Sequence, residues 1–302
     1  KGGYTPTELH RVGPKQPYAD RKLSEIAFPI AGMGTGSVSL SGTGALVDWE
    51  IWNRPNIGAL LPYTFFTLWA QAGDNTPVTK VVQSPPRPPF SGQGGRNFGG
   101  FGFGVNRETG AGLPHLREGL FYGEYPLAWI EFSDPDMPLQ VTLEAYNPLI
   151  PLNDKDSGLP AALFYFKLHN PGTQPVQAAL SANLYNAVGY SGAGSFADAA
   201  VGGSRNAYVD REGVRGISMT TERYERDDPR FGSMALTTTW QEVDHQLAWF
   251  RGGWFDAFHK FWDDFSTTGT LPARDYDTPS PEGQGDVGSI VLKAQIAPGE
   301  TV

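Results

Sequence analysis

The 302-residue chain carries 23 Lys and Arg against 32 Asp and Glu, a formal net charge of −9, and no cysteine. Disulfides, thiolate metal sites, iron–sulfur clusters and a cysteine nucleophile are thereby excluded. An acidic chain without a basic cluster argues against nucleic acid or an anionic membrane surface as partner.

With 38 Gly and 25 Pro, about a fifth of the residues are turn formers, where ordinary usage gives roughly an eighth. Aromatic residues at 13% supply a large core, so the excess of Gly and Pro points to many short strands joined by turns and not to disorder. The longest apolar runs, such as residues 161–166, are far too short to span a bilayer.

In chain order, Gly32-Met33-Gly34-Thr35-Gly36 superficially resembles a phosphate loop. It continues as a strand, Ser37-Val38-Ser39-Leu40, and lacks both the following helix and the lysine that such loops need, so nucleotide binding is not expected. Asp48 and Glu50 then alternate with Trp49, which on a regular strand puts both carboxylates on one face about 6–7 Å apart. A carboxylate pair near that spacing suits glycoside hydrolysis. The competing reading, which the residue types favour, is a solvated strand face with Trp49 turned into the core. Asn53 and Arg54 follow at the strand end, a place where interface hydrogen bonds are common.

The segment 85–112 joins a proline-rich start, Ser84-Pro85-Pro86-Arg87-Pro88-Pro89, to glycine-rich sequence interleaved with Phe98, Phe101 and Phe103. A loop of that length is functional or disordered. Leu139, Val141, Leu143 and Ala145 alternate as a strand. Asn153-Asp154-Lys155-Asp156-Ser157-Gly158 begins like a calcium loop but has no distal glutamate, which leaves a plain turn as the favoured reading.

Ala162, Phe164, Phe166 and Leu168 face one side against Tyr165, Lys167 and His169. A turn, Asn170-Pro171-Gly172-Thr173-Gln174, leads to a second alternating run through Val176, Ala178, Leu180, Ala182 and Leu184, and the two runs are expected to pair as a hairpin. A second small-residue excursion, 189–206, precedes strands at Ile217 and Met219, around residues 234–240, and at Ile290, Leu292, Ala294 and Ile296.

One segment has helical spacing. Trp254, Phe255, Phe258, Phe261, Trp262 and Phe265 describe an amphipathic helix near 254–266, expected to cap an open end of a β-sandwich with its Phe and Trp side buried against a sheet. The turn Ala297-Pro298-Gly299-Glu300 is followed by a run of two residues, Thr301 and Val302, from which a longer parent protein is expected. The five histidines, His10, His115, His169, His245 and His259, are dispersed without metal-binding spacing, and Gly192-Ala193-Gly194-Ser195 does not complete a nucleophile elbow. No metal and no cofactor is expected. The fold expected from these elements is all-β: one large antiparallel two-sheet sandwich over residues 1–302 with a single short helix.

Two segments, Phe28-Pro29-Ile30-Ala31-Gly32-Met33-Gly34-Thr35-Gly36 and Asp48-Trp49-Glu50-Ile51-Trp52-Asn53-Arg54-Pro55, resemble the N-terminal domain of glycoside hydrolase family 116, the family of non-lysosomal glucosylceramidases and bacterial β-glucosidases. Ala145-Tyr146-Asn147-Pro148-Leu149-Ile150-Pro151-Leu152-Asn153-Asp154, Leu159-Pro160-Ala161 and Asn186-Ala187-Val188-Gly189 resemble the same domain in the same order. The resemblance implies a supersandwich-like domain packed on an (α/α)6 barrel that lies beyond residue 302 and carries the Glu nucleophile and Asp acid/base for retaining hydrolysis of β-glucosides. It implies no catalytic residue within residues 1–302. Basic and cysteine-containing segments of the animal enzymes are absent, which favours a soluble bacterial-type β-glucosidase.

The face expected to meet that barrel comprises Trp49, Glu50, Trp52, Asn53 and Arg54, with Phe98, Phe101 and Phe103 from the glycine-rich loop, because aromatic rings and arginine are enriched as interface anchors. A free-standing carbohydrate-binding sandwich with exposed Trp and Tyr platforms is the alternative.

Overall fold

A computed structural model of the protein describes residues 3–52, 55–86, 107–189, 201–253 and 256–302. In chain order its strands are β1 (Ala27–Pro29), β2 (Ser37–Ser41), β3 (Leu46–Glu50), β4 (Phe66–Ala72), β5 (Val78–Val81), β6 (Glu118–Glu124), β7 (Leu127–Ser133), β8 (Gln140–Tyr146), β9 (Leu163–His169), β10 (Val176–Tyr185), β11 (Ser204–Arg211), β12 (Val214–Thr221), β13 (Met234–Thr238), β14 (Val243–Gln246) and β15 (Val287–Ile296). The α-helices are α1 (Pro6–Leu9), α2 (Asp154–Ser157) and α3 (Asp256–Thr268).

The fold is an all-β sandwich, and every strand pair among the described residues is antiparallel. The described residues form four sheets, in the orders β1-β2-β3, β14-β15-β10-β4-β5, β6-β7-β8-β9 and β11-β12-β13.

The five-stranded sheet is the central layer, and β4 shows why. Phe66 on one of its faces meets the rings of Phe164 and Phe166 on β9, with centroids 5.2 and 4.8 Å away. On the opposite face, Phe65 beside the strand start meets Phe258 and Phe261 of α3 at 6.4 and 6.1 Å. A strand covered on both sides gains from apolar residues at every position, and the unbroken burial of Phe66, Thr67, Leu68, Trp69 and Ala70 follows. Further along the layer, Ile217 and Met219 of β12 close over Gly288 of β15, where a side chain would collide with them.

The helix buries its phenylalanines against a sheet as expected, but it lies along a face of this central sheet and not over an open end of the sandwich. Phe258, Phe261 and Phe265 are buried there, the Thr79 hydroxyl of β5 donates to the carbonyl of Ser266, and Gly269 seats the chain against Trp69 and Ala179. The correction has a simple cause: helical periodicity identifies an apolar stripe but not the surface that receives it. Trp254 and Phe255, at the start of the expected helix, lie outside the described residues.

The hairpin expected between the two alternating runs around Pro171-Gly172 does not form. β9 pairs with β8, whereas β10 pairs with β4 and β15. The chain changes sheets at Asn170, which is fully buried. Its Nδ2 donates to the carbonyls of Gln174 and Ile296 at 2.9 and 3.0 Å, and its Oδ1 accepts from Gly172 N at 2.9 Å. A side chain that replaces the missing ladder bonds makes a corner out of what reads as a hairpin turn. Beyond the corner, Thr301 and Val302 pair antiparallel with His169 and Leu168, extending the edge of the four-stranded sheet.

Candidate functional site

At one end of the sandwich three segments are knitted together: residues 30–36 before β2, residues 51–52 and 55–58 after β3, and residues 147–161 between β8 and β9. The Asn147 side-chain amide donates to the carbonyl of Ala31. Met33 N donates to Ser157 O at 2.8 Å, while the Ser157 hydroxyl donates to Ile150 O at 3.0 Å and accepts from Ile150 N at 2.9 Å.

Gly32 is required by proximity, since a Cβ there would stand 2.1 Å from the Leu159 carbonyl oxygen. Gly36, at φ +95°, lies against the carbonyl of Glu50. The glycine run that resembles a phosphate loop therefore serves close loop-to-loop packing, and a strand follows it as the sequence implies.

Asp48 and Glu50 flank a bulge in the β2–β3 register, and Asp48 has φ +52°, so the regular alternation expected of this strand is broken. Each carboxylate holds the next loop: Asp48 Oδ1 accepts from Gly58 N at 2.6 Å and Glu50 Oε1 from Asn56 N at 3.2 Å. Trp49 is buried, with its indole N–H donating to Leu46 O at 3.3 Å.

Trp52 also has a left-handed backbone, at φ +61°, and its half-buried ring abuts Gly232. Its indole N–H is buried without a hydrogen-bond partner among the described residues. Asn53, Arg54, Phe98, Phe101 and Phe103 lie outside the described residues. Asn153 caps α2, accepting from Asp156 N at 3.1 Å and donating to Asp156 Oδ2 at 2.6 Å, so the segment that begins like a calcium loop is a short capped helix.

Sequence reasoning missed the apolar side chains that this end displays. Met33 is 55% exposed, Ile150 49%, Leu159 50% and Leu152 fully, and Ile57 stands out on the adjoining loop. Apolar residues inside a proline-punctuated stretch, Pro148-Leu149-Ile150-Pro151-Leu152, were the available signal, because such a stretch has no strand partner to bury them.

A second surface lies on the outer face of the four-stranded sheet. Trp129, Glu144, Tyr146 and Tyr165 line a shallow groove of about 340 Å³. Tyr146 and Tyr165 stack at 5.8 Å, Glu144 pairs with Lys167 at 2.5 Å, and the Lys15 ammonium sits 3.4 Å over the Trp129 ring.

The histidines do other work. Burial lowers the pKa of His115, whose Nδ1 bonds Leu113 O, and of His245, whose ring stacks on Tyr208 at 4.1 Å. Among the described residues this end is built of hydrogen-bonded loops, and its two neighbouring carboxylates each accept from the backbone of residues 56–58. Comparison with known families agrees with the loop sequences: the family described as beta-glucosidase 2, glycosyl-hydrolase family 116 N-term, matches residues 27–302, and the chain belongs to that family.

Proposed function

We propose that the chain is the non-catalytic β-sandwich of a retaining, glucosylceramidase-like β-glucosidase of carbohydrate metabolism, and that it supports an (α/α)6 catalytic barrel in the same protein. Membership of an N-terminal domain family supports the presence of a catalytic domain in the same protein. The observation that carries the reading is the commitment of Asp48 and Glu50 to the backbone of residues 56–58. Retaining hydrolysis needs one carboxylate placed as nucleophile and a second that cycles between acid and base, whereas each of these two has an oxygen engaged in holding the loop that follows.

Trp49, Glu50, Trp52, Asn53 and Arg54, with Phe98, Phe101 and Phe103, are proposed as the barrel-facing residues. Of these, Trp49 is buried and contributes by bracing its own strand end. The purified chain, assayed at high concentration against aryl β-glucosides, is expected to show no turnover. Turnover that disappears in Asp48→Asn or Glu50→Gln would overturn the reading.

The groove of Trp129, Tyr146 and Tyr165 favours a second reading, a carbohydrate-binding module, in which a sugar ring stacks on the exposed Tyr165 and displaces Lys15 from the Trp129 ring. Retardation of the chain in gels containing soluble β-glucan, lost in Trp129→Ala and Tyr165→Ala, would support that alternative.

A further inference from the structure

Strand register sets Tyr122, Trp129, Glu144 and Tyr165 in one row across the outer face of the four-stranded sheet. Neighbouring strands lie about 4.8 Å apart, so each of these side chains adjoins the next. Tyr146 joins the row by stacking on Tyr165, and with Trp129 and Glu144 these two rings line the groove of about 340 Å³. An aromatic ring is negative over its face. Glu144 adds a full negative charge between the Trp129 and Tyr165 positions of the row.

The other charges on this face have mostly the same sign. Glu118 and Glu124 of β6 and Glu131 of β7 alternate outward and are exposed, and Lys167 of β9 answers them while bound to Glu144. Such a face draws cations toward its aromatic rings.

A cation already sits there. The Lys15 ammonium stands 3.4 Å from the centroid of the Trp129 ring. Residues 3–17 are exposed throughout, and the segment pairs with the sheet at Tyr18, which exchanges backbone hydrogen bonds with Phe121 of β6 at 2.8 and 2.9 Å. Lys15 therefore reaches across β6, from an anchor three residues away, to a ring on β7. Ordering a long lysine side chain costs entropy, and the ring face is the contact that offsets it.

We infer that this groove is a binding site for a small organic cation, a quaternary or protonated amine whose head group takes the Trp129 face beside Glu144, and that Lys15 is the internal ligand it displaces. The inference stands apart from the supporting role, and it gives a charged ligand to the groove that the carbohydrate reading fills with sugar. Lys15 competes from a short tether, at an effective concentration of about millimolar. Affinity for an outside amine is reduced accordingly, in proportion to the fraction of molecules whose Trp129 face is open. Removing the lysine therefore tightens binding, an effect that a merely structural lysine does not produce.

The test titrates the 302-residue chain with choline chloride at constant ionic strength, read by saturation transfer from the protein to the trimethylammonium protons. Saturable binding is expected, several-fold tighter in Lys15→Gln. Trp129→Leu, which keeps apolar bulk but removes the ring, is expected to abolish binding in the Lys15→Gln background, and Glu144→Gln to weaken it several-fold. The neutral carbon isostere of choline is expected not to compete. Urea unfolding checks the fold of each variant, and Lys15 lies in an exposed segment, so the gain in Lys15→Gln does not depend on that check.

Sedimentation with phosphatidylcholine vesicles alongside choline binding assigns the head group to a lipid, and choline binding without sedimentation assigns it to a free solute. Unchanged affinity in Lys15→Gln, or equal binding of the neutral isostere, would overturn the inference. Cellotetraose that binds the row while choline does not would also overturn it, in favour of the carbohydrate reading.

Discussion

Trp249 donates its indole N–H to the hydroxyl of Ser289 at 2.7 Å, beneath the helix that its ring supports by stacking on Phe261 at 4.2 Å. Ser289 in turn donates to Asn183 Oδ1 at 2.6 Å, Ser181 donates to the same oxygen at 2.9 Å, and Asn183 Nδ2 reaches Phe65 O at 3.0 Å. All four polar side chains are buried, between a sheet and α3. Small polar residues leave room for the aromatic rings above them, and each polar atom in the chain has a partner, which is the condition for burying them without penalty.

Trp249→Phe keeps most of the ring but removes the bond that the indole donates to Ser289, whose hydroxyl keeps its own bond to Asn183. The expected loss is about 0.5–1.5 kcal/mol in urea unfolding. Phe261→Ala removes the ring that stacks on Trp249 and packs on Phe65, and is expected to cost about 3–5 kcal/mol. A surface helix would show neither loss, so unchanged unfolding in both variants would remove α3 from the core.

Asn170 holds the corner between two sheets through bonds that no small apolar side chain replaces. Asn170→Ala leaves the carbonyls of Gln174 and Ile296 without their buried donor and is expected to destabilise by about 2–4 kcal/mol. Asn170→Asp puts a carboxylate oxygen against those same carbonyls. Its deficit is expected to be larger at neutral pH and to shrink as acid protonates the group and restores one donor.

How far the sequence carries depends on which interactions set each feature. Strand existence was legible at β2, β8, β9, β10, β12 and β15, because side-chain alternation is a local property and these strands have one face or both in the core. Pairing was not: the turn at Pro171-Gly172 looks local, yet Asn170 bonds a carbonyl far along the chain, at Ile296. The position of α3 was hidden for the same reason, since the receiving surface of Trp69, Ala179 and Trp249 is assembled from three separated segments. At the candidate site, Asp48 and Trp52 depart from strand alternation through positive φ angles at residues with no glycine to announce them. Met33, Ile150 and Leu159 read as core by type, and only the assembled loops show them facing outward.

Acid stability is expected to depend on Asp134, in the turn after β7. Burial by itself pushes its carboxyl upward, but Lys80 of β5 at 2.6 Å and the backbone N–H groups of Asp136 and Arg117 outweigh that and hold it below the usual carboxylate range. A pKa depressed on folding stabilises the folded chain above the unfolded value, about 3.9, and that contribution disappears as pH falls through the lower folded value. The pair joins the central sheet to the four-stranded sheet, so its loss loosens the contact between layers. Asp134→Asn is expected to lower stability at pH 7 and to show a flatter decline across the acid window below about pH 4 than the parent chain. Urea midpoints at the two ends of that window give the comparison; parallel declines would assign the acid limb to other carboxylates.

Two glycines two residues apart separate close approach from backbone freedom at the loop end. Gly34 has φ +74° with open space where a side chain would stand, so Gly34→Ala meets no neighbour and is expected to cost only the left-handed backbone, about 1–2 kcal/mol. Gly32 needs no positive φ, but its methyl would stand 2.1 Å from the Leu159 carbonyl oxygen and 2.8 Å from the Thr35 hydroxyl. Backbone has to move to admit it, and the segment that moves is the one hydrogen-bonded to Met33 through Ser157. Gly32→Ala is therefore expected to cost more than Gly34→Ala in urea unfolding and to accelerate amide exchange across residues 147–161, whereas Gly34→Ala leaves that exchange unchanged. In the two-domain protein the same substitution is expected to depress glucosidase activity without touching a carboxylate. Equal costs for the two variants, with exchange in 147–161 unaltered by either, would mean that the loops at this end are not packed through Gly32.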